Sequence, residues 1–336
     1  MLVFAAETSC DETSVCLMND QEIIDHLIFS QQIHKKHGGV VPELASRSHL
    51  EILQEITEEI FERNKFKPHD IDVFTATCGP GLIGGLLVGS IYTKSLALNA
   101  QKPFIPMNHL EGHLLSTSFN NQIVYPNLVL LLTGGHTQIY LMKNSKEVKL
   151  LGESVDDAVG EAFDKTAKLL GLGYPGGKEI ENRAKKGNEN FFVLPKPLIK
   201  EKNFNFSFSG IKTHVNLLTK KNNINNTFIN NLSASFQKTI SEIITSKIKT
   251  GLIILREKNI ETNSISVVGG VSNNKYIRMK IEDFVAKENI ELYYPLKEMM
   301  SDNAAMISWA CIKNYTDKKH DIYFKPKPRM NINEKL

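Results

Sequence analysis

The chain lacks most of the features that identify a protein by composition alone. Its four cysteines, Cys10, Cys16, Cys78 and Cys311, form no C-x-x-C pair. They are too sparse for a disulfide framework, and a reducing, cytoplasmic setting is expected. No stretch reaches about 18 uninterrupted apolar residues, and Glu7, Asp11 and Glu12 break the N-terminal segment, so neither a membrane span nor export is expected. Charge of one sign is missing too: 40 basic against 37 acidic residues leave +3, so no global field demands a nucleic-acid partner. Local basic clusters do exist at His34-Lys35-Lys36-His37 and Lys325-Pro326-Lys327-Pro328-Arg329. Each is either a solvated surface or a place to meet phosphates. There is no G-x-x-x-x-G-K-[ST], hence no phosphate-binding loop of that type. What remains is an ordinary globular composition, 41% hydrophobic and 23% charged, in 336 residues. That length predicts two domains of about 100–200 residues.

Against this background His109-Leu110-Glu111-Gly112-His113 is prominent. Histidines four apart share one face of a helix and can converge on a single metal ion, or are simply a pair of surface or core histidines. As exposed helix positions they should tolerate alanine. The H-E-x-x-H metallopeptidase arrangement is excluded, because Glu111 stands two residues after His109, about 200° round the helix and away from both rings. Two histidines are too few for a divalent ion, so a further ligand must come from elsewhere.

In chain order, Leu2 to Ala6 and Ser14 to Met18 are predicted strands around a polar turn, Thr8 to Thr13, and a third strand lies near His26 to Ser30. The tip Glu7 to Thr13 concentrates hydroxyls and carboxylates suited to phosphate oxygens and a cation, or is merely a polar turn. A helix follows from Glu43 to about Asn64, with Pro42 at its start. Ile71 to Thr77 is a buried strand, and a helix with small residues Gly84, Gly85 and Gly89 runs to about Leu98. The pattern then repeats. Asn127 to Leu132, Gln138 to Met142 and Val148 to Gly152 form a second meander, its first turn Thr133-Gly134-Gly135-His136-Thr137. Asp156 to Lys165 opens a helix, with Asp164 in it. Gly171 to Gly177 is a loop that either lets backbone approach a ligand or simply stops the helix. An irregular stretch from Asn188 to Phe206 and a long helix from Phe228 to Lys258 precede a strand, Ser264 to Val268. Its end, Gly269 to Asn274, suits an adenosine or phosphate seat. Asp302 is either the N-cap of the helix Ala304 to Tyr315 or the missing metal ligand. Two such α/β halves correspond, by analogy, to the duplicated actin-like ATPase (ASKHA) plan, two domains around a nucleotide cleft. The expected division is 1–108 and 109–336, the latter carrying metal and adenylate site, with its last helix packing back on the former.

The ordered segments ETSCDET (7–13), GGVVPELAS (38–46), HLEGH (109–113), GGHTQ (134–138), GEAFDK (160–165), YPGG (174–177), FSFSGIKT (206–213), GGVSNN (269–274) and Asp302-Asn303 resemble the bacterial tRNA N6-adenosine threonylcarbamoyltransferases, the TsaD family once labelled O-sialoglycoprotein endopeptidases. The resemblance spans almost the whole chain. It implies an actin-like two-domain fold and transfer of a threonylcarbamoyl group from threonylcarbamoyl-adenylate to N6 of the adenosine at tRNA position 37, with release of AMP. It also implies that His109, His113 and Asp302 hold one iron or zinc ion. Leu131, Leu132, Thr133, Gly134, Gly135, Asp164, Gly177 and Asn274 would form the adenylate pocket, with Glu181 near the ribose and Asp11 or Glu12 assisting at the reacting end. Implied partners are tRNA, a paralogous actin-like (TsaB-like) subunit on the N-terminal domain and a small P-loop ATPase (TsaE-like). Helices Glu43–Asn64 and Leu82–Leu98 would supply the packing face, unless they are ordinary core. One departure is Asn273, where the family commonly has Ala. A metallopeptidase and a nucleotide-binding kinase or chaperone-like protein are the alternatives. The first lacks a placed general base, and the second has no need of the histidines.

Overall fold

Two five-stranded sheets take up the apolar runs. The computed structural model describes residues 1–315 and 320–332, and the chain divides into two units, Met1–Asn120 with Pro295–Leu336, and Asn121–Tyr294.

In the first unit β1 (Val3–Glu7), β2 (Glu12–Met18) and β3 (Ile23–Ser30) form an antiparallel meander, while β4 (Val73–Gly79) runs parallel to β1 and β5 (Phe104–Asn108) parallel to β4. The order is β3-β2-β1-β4-β5. β1 and β4 are buried at every position, which is why they read as continuous apolar runs and not as alternations. Helices α1 (Pro42–Asn64) and α2 (Ile83–Ala100) pack together, and Leu53, Ile60 and Phe61 of α1 meet Phe4 and Phe74 in the core. Burial of side chains of this size contributes about 1.5–3 kcal/mol each. β2 starts two residues earlier than expected, since Glu12 and Thr13 still pair with Ser30 and Phe29. β5 forms despite Pro106, because it is an edge strand and an edge proline breaks no ladder.

The second unit repeats the plan with β6 (Asn127–Leu132), β7 (Thr137–Met142), β8 (Val148–Glu153), β9 (Ser264–Val268) and β10 (Glu291–Tyr293), in the order β10-β9-β6-β7-β8. Replacing β1 to β5 by β6 to β10 turns one order into the other. Helices α4 (Val159–Leu169), α5 (Gly177–Ala184), α6 (Ser209–Lys221), α7 (Asn226–Glu257) and α8 (Lys275–Glu288) complete it. The irregular stretch before α6 is tied down by buried Lys247 of α7, whose ammonium donates to Glu201 O, Asn203 O and Asn203 Oδ1 at 3.1–3.2 Å.

The expected division after residue 108 differs from this one. Helix α3 (His109–Ser116) lies against α9 (Ala304–Asn314), and α9 against β1 and β2, so both belong to the first unit. The first unit thus holds the histidine helix as well as the last helix. Among the described residues no helix is long and apolar enough to cross a membrane.

Candidate metal centre and glycine-lined pocket

His109 and His113 are one turn apart on α3, their ring centroids 4.9 Å apart at 89°. Asn108 starts the helix by accepting from the amides of Leu110 and Glu111. Asp302, just before α9, brings Oδ1 to 3.0 Å from His113 Nε2 and 3.6 Å from His109 Nε2. One ligand atom from each residue lies within 4.8 Å of the other two, a spacing that fits one divalent ion. On its other edge His109 Nδ1 is 3.3 Å from Glu7 Oε2 and 3.2 Å from Ser9 Oγ. A carboxylate there holds the proton on Nδ1 and leaves the Nε2 lone pair for a metal. His113 Nδ1 is buried without a hydrogen-bond partner, so this ring is fixed only through whatever Nε2 binds.

The electrostatics agree with the geometry. Burial opposes charge on His109, but Asp302, Glu7 and Glu12 outweigh it and lift its pKa to about 9. A cation bound at Nε2 would take the place of that proton. Burial raises Glu7, yet His109 more than reverses this and its carboxyl stays below the usual range. Glu12 is pushed well up, by burial first and then by Asp11, Asp302 and Glu7.

Three sequence readings are sharpened here. The histidines are not exposed: His109 is 4% and His113 0% accessible. Alanine at either would leave a hole as well as an empty ligand position, because α9 covers this face of α3. Asp302 is not the cap of α9, since Asn303 accepts from the Met306 amide at 3.1 Å. Glu111 does point away from the pair, accepting from Asn314 Nδ2 at 2.9 Å.

The turn between β1 and β2 carries Asp11 and Glu12 and is held through its carbonyls. Leu82 N donates to Ser9 O (2.8 Å), His49 Nε2 to Cys10 O (3.0 Å) and Gln31 N to Asp11 O (3.2 Å). Buried His49 also faces Thr13 Oγ1 at 2.8 Å through Nδ1. Burial lowers its pKa, so the ring is neutral and can donate from one nitrogen and accept at the other. α2 comes close enough for Thr8 Oγ1 to donate to Gly85 O at 2.8 Å. A Cβ at Gly85 would sit 2.2 Å from Thr8 O, and one at Gly89 2.1 Å from Thr8 Oγ1. The small residues of α2 thus serve close packing. Gln31 and His49 were missed as site residues, and Glu7 and Ser9, read as part of the tip, were not foreseen as partners of His109. β1 is buried on both faces, so no alternation marks which way Glu7 turns.

In the second unit Leu131 and Leu132 are fully buried in β6 and support the turn that follows. Within that turn Thr133 N donates to His136 O (2.8 Å) and His136 N to Thr133 Oγ1 (2.9 Å). Gly160 is pressed beneath it, where a Cβ would lie 2.7 Å from both Gly134 Cα and Thr133 O. Gly269, at φ +91°, comes so close that a Cβ would be 2.6 Å from Leu132 O. A Cβ at Gly134, Gly135, Gly177 or Gly270 would instead meet open space, leaving bare backbone able to approach a ligand. Asp164 Oδ1 accepts from Gly176 N at 2.6 Å and so sets the start of α5, at Gly177. Asn274 caps α8 through Tyr276 N and Ile277 N and donates to Gln237 Oε1 at 2.8 Å. Glu181 Oε1 accepts from the next amide, Lys275 N, at 2.9 Å. A cavity of about 260 Å³ lies beside them, lined among others by Glu181, Gln237, Lys275 and Tyr276. The structure therefore couples Gly134 with Gly160, Asp164 with Gly176, and Glu181 with Lys275. Asn273 is exposed and leaves Asn274 in place.

The comparisons with known proteins agree with this picture. The family model TsaD, tRNA N6-adenosine threonylcarbamoyltransferase, matches residues 22–309. Proteins of that name are similar over the full length: 42% identity over 335 residues for Wolbachia pipientis wMel, covering 98% of each chain. The Rickettsia canadensis (strain McKiel) protein is 43% identical over 338 residues, 99% of each chain, and that of Thermosipho africanus (strain TCF52B) 44% over 321, 94% of each. Among solved structures, full-length HypF in its phosphate- and nucleotide-bound form superposes with a TM-score of 0.60 at 14% identity, over 94% of this chain and 46% of that one. Component A of the Acidaminococcus fermentans (R)-2-hydroxyglutaryl-CoA dehydratase gives 0.50 at 14%, over 92% and 98%. At such identities the likeness concerns the fold alone, and that fold is the duplicated actin-like plan. With two sheets of matching order, a His-His-Asp centre and full-length relatives above 40% identity, the chain belongs to the TsaD family of tRNA N6-adenosine threonylcarbamoyltransferases.

Proposed function

We propose that this chain transfers the threonylcarbamoyl group of threonylcarbamoyl-adenylate to N6 of adenosine 37 in tRNAs that read codons beginning with A. The N6–carbonyl bond forms, the carbonyl–phosphate oxygen bond breaks, AMP departs and N6 loses a proton. The observation that carries this reading is the convergence of His109, His113 and Asp302 beside the acid-rich turn, in a chain of this family. The three residues would hold one iron or zinc ion, which when bound supplies Lewis acidity and a template for the donor. Thr133, Gly134 and Gly135 offer backbone to the adenylate, with Leu131 and Leu132 beneath them. Asp164 and Asn274 shape the pocket by fixing Gly177 and α8, and Glu181 stands on the ribose side. Asp11 or Glu12 would assist at the reacting end by taking the one proton that leaves N6; the raised proton affinity of Glu12 suits that task. A metallopeptidase reading is not supported, because Glu111 is engaged with Asn314 and turned from the histidines.

The chain acts in the cytoplasm within an assembly. Ile83, Leu87, Ile91 and Leu98 form an exposed apolar stripe on α2, 40–64% accessible, with Leu50 of α1 69% accessible. Such a stripe is not ordinary core, and it suits the helices of a paralogous actin-like subunit. A small P-loop ATPase would complete the assembly, as this chain carries no such motif. The test is incubation of the protein, with and without these partners, with adenylate donor and unmodified tRNA, followed by nucleoside analysis. Absence of threonylcarbamoyladenosine in the complete mixture would refute the function; rapid multiple turnover by the chain alone would refute the need for partners.

A further inference from the structure

After α9 the chain returns as an irregular strap across the first unit, with a turn at Ile322–Tyr323 closed by Phe324 N donating to Asp321 O (3.3 Å). Ile322 and Phe324 turn inward against the core and Met330 is buried. Main-chain bonds seat it: Asp321 N donates to Phe104 O (3.1 Å), Lys327 N to Cys78 O (2.8 Å) and Gly81 N to Pro328 O (3.2 Å). At Gly79 a Cβ would lie 2.1 Å from Lys327 O, so a larger residue there would lift the strap. Farther along, Asn108 Nδ2 donates to Asn331 O at 3.2 Å. The strap therefore ends at the residue preceding His109.

Its outward face differs from its inward one. Between the inward Ile322 and Phe324 stands Tyr323, 88% accessible, and beyond them Lys325 and Arg329 are exposed. Pro326 and Pro328 fix their own φ and limit the entropy lost on binding. An exposed aromatic on a turn, followed by spaced cations, matches single-stranded nucleic acid, whose unstacked bases and phosphates ask for those two contacts. A duplex has no free base face for Tyr323, and an acidic peptide has no use for it.

We propose that the strap, through Tyr323, Lys325 and Arg329, is the docking surface for the single-stranded tRNA loop that carries the target adenosine. The inference rests on the function proposed above and adds the surface that reads the tRNA. It is tested on the full chain, with its partners, by measuring tRNA affinity across about 50–200 mM salt for three variants beside the wild type. Lys325→Ala with Arg329→Ala should flatten the slope of log affinity against log salt by about 1.4, two single-strand phosphates at about 0.7 each. Tyr323→Ala should weaken binding about tenfold and leave the slope alone, because stacking releases no counterions. Lys220→Ala with Lys221→Ala, an equal charge loss on exposed residues of the second unit, should change neither. Melting temperature and metal content serve as checks of folding. Wild-type affinity and slope in the strap variants would overturn the inference and leave the function standing, provided the wild type modifies tRNA. An equal slope change in the Lys220/Lys221 control would also overturn it. If the wild-type assembly neither binds nor modifies tRNA, both proposals fall.

Discussion

Replacing Glu7 by glutamine isolates one task, the orientation of His109. Glu7 is 1% accessible and accepts three donors: Ser9 N through Oε1, and Thr77 Oγ1 and His109 Nδ1 through Oε2. Glutamine has nearly the same shape, but one of its two ends must be an NH2. If the oxygen keeps Ser9 N, the NH2 faces His109 Nδ1, which must then accept, and the imidazole proton moves to Nε2. That tautomer cannot ligate. If the amide flips, its NH2 meets the Ser9 amide, donor against donor. Either way the metal competes with a misdirected group, and outer-shell replacements of this kind cost about 10- to 100-fold in metal affinity. This corresponds to about 1.4–2.8 kcal/mol. The same amount should vanish from the stabilisation that saturating metal gives the folded chain. Chelator competition with zinc or iron(II), paired with melting curves at fixed free metal, measures both quantities. Wild-type metal affinity in Glu7→Gln would refute the reasoning, since the histidine would then be oriented by something else.

Two further outcomes are expected. Asp302→Ala should abolish metal binding without loss of helix capping, whereas Asn303→Ala, which removes the cap of α9, should cost about 1 kcal/mol and keep the metal; metal analysis and denaturant melts distinguish the pair, and the reverse pattern would return Asp302 to a capping role. His26 provides the pH dependence: burial pushes its pKa down to about 4 against the opposing pull of Asp25 and Glu298. Its Nε2 lies 2.9 Å from Ser14 Oγ, which accepts from Ala304 N. The unfolded histidine takes a proton near pH 6.5 and the folded one does not, so this stability is present above about 6.5 and lost as pH falls towards 4. His26→Gln should remove up to about 3 kcal/mol of that acid-side loss, and an unchanged pH profile of melting temperature would contradict it.

The strand plan was legible because its signals are local: two meanders, each followed by a buried strand, and histidines four apart. What was not legible depends on distant parts of the chain. Whether Asp302 caps a helix or faces the histidines turns on its neighbour Asn303 taking the cap, which the Ser-Asp-Asn run leaves undecided. The burial of His109 and His113 follows from α9, nearly two hundred residues later. So does their membership of the first unit. Pro106 hid β5, because only the strand order reveals that it lies on an edge. Asn274 and Asp164 were anticipated as ligand contacts, yet their side chains hold α8 and Gly176; sequence carries residue identity, not which way an amide or carboxylate is turned.

The matching strand orders carry one more consequence. Gly81 follows β4 and abuts the first tip, where a Cβ would be 2.7 Å from Ser9 O; Gly269 follows β9 and abuts the second, 2.6 Å from Leu132 O. The two braces do not occupy matching places: Ala6 pairs with Ala76 and Leu131 with Val268, so Gly269 corresponds to Thr77, and Gly81 lies four residues farther along. Each hairpin is therefore pinned by its own neighbour, reached from a different point of an otherwise repeated plan. A side chain added at Gly81 should displace the first tip, and one at Gly269 the second.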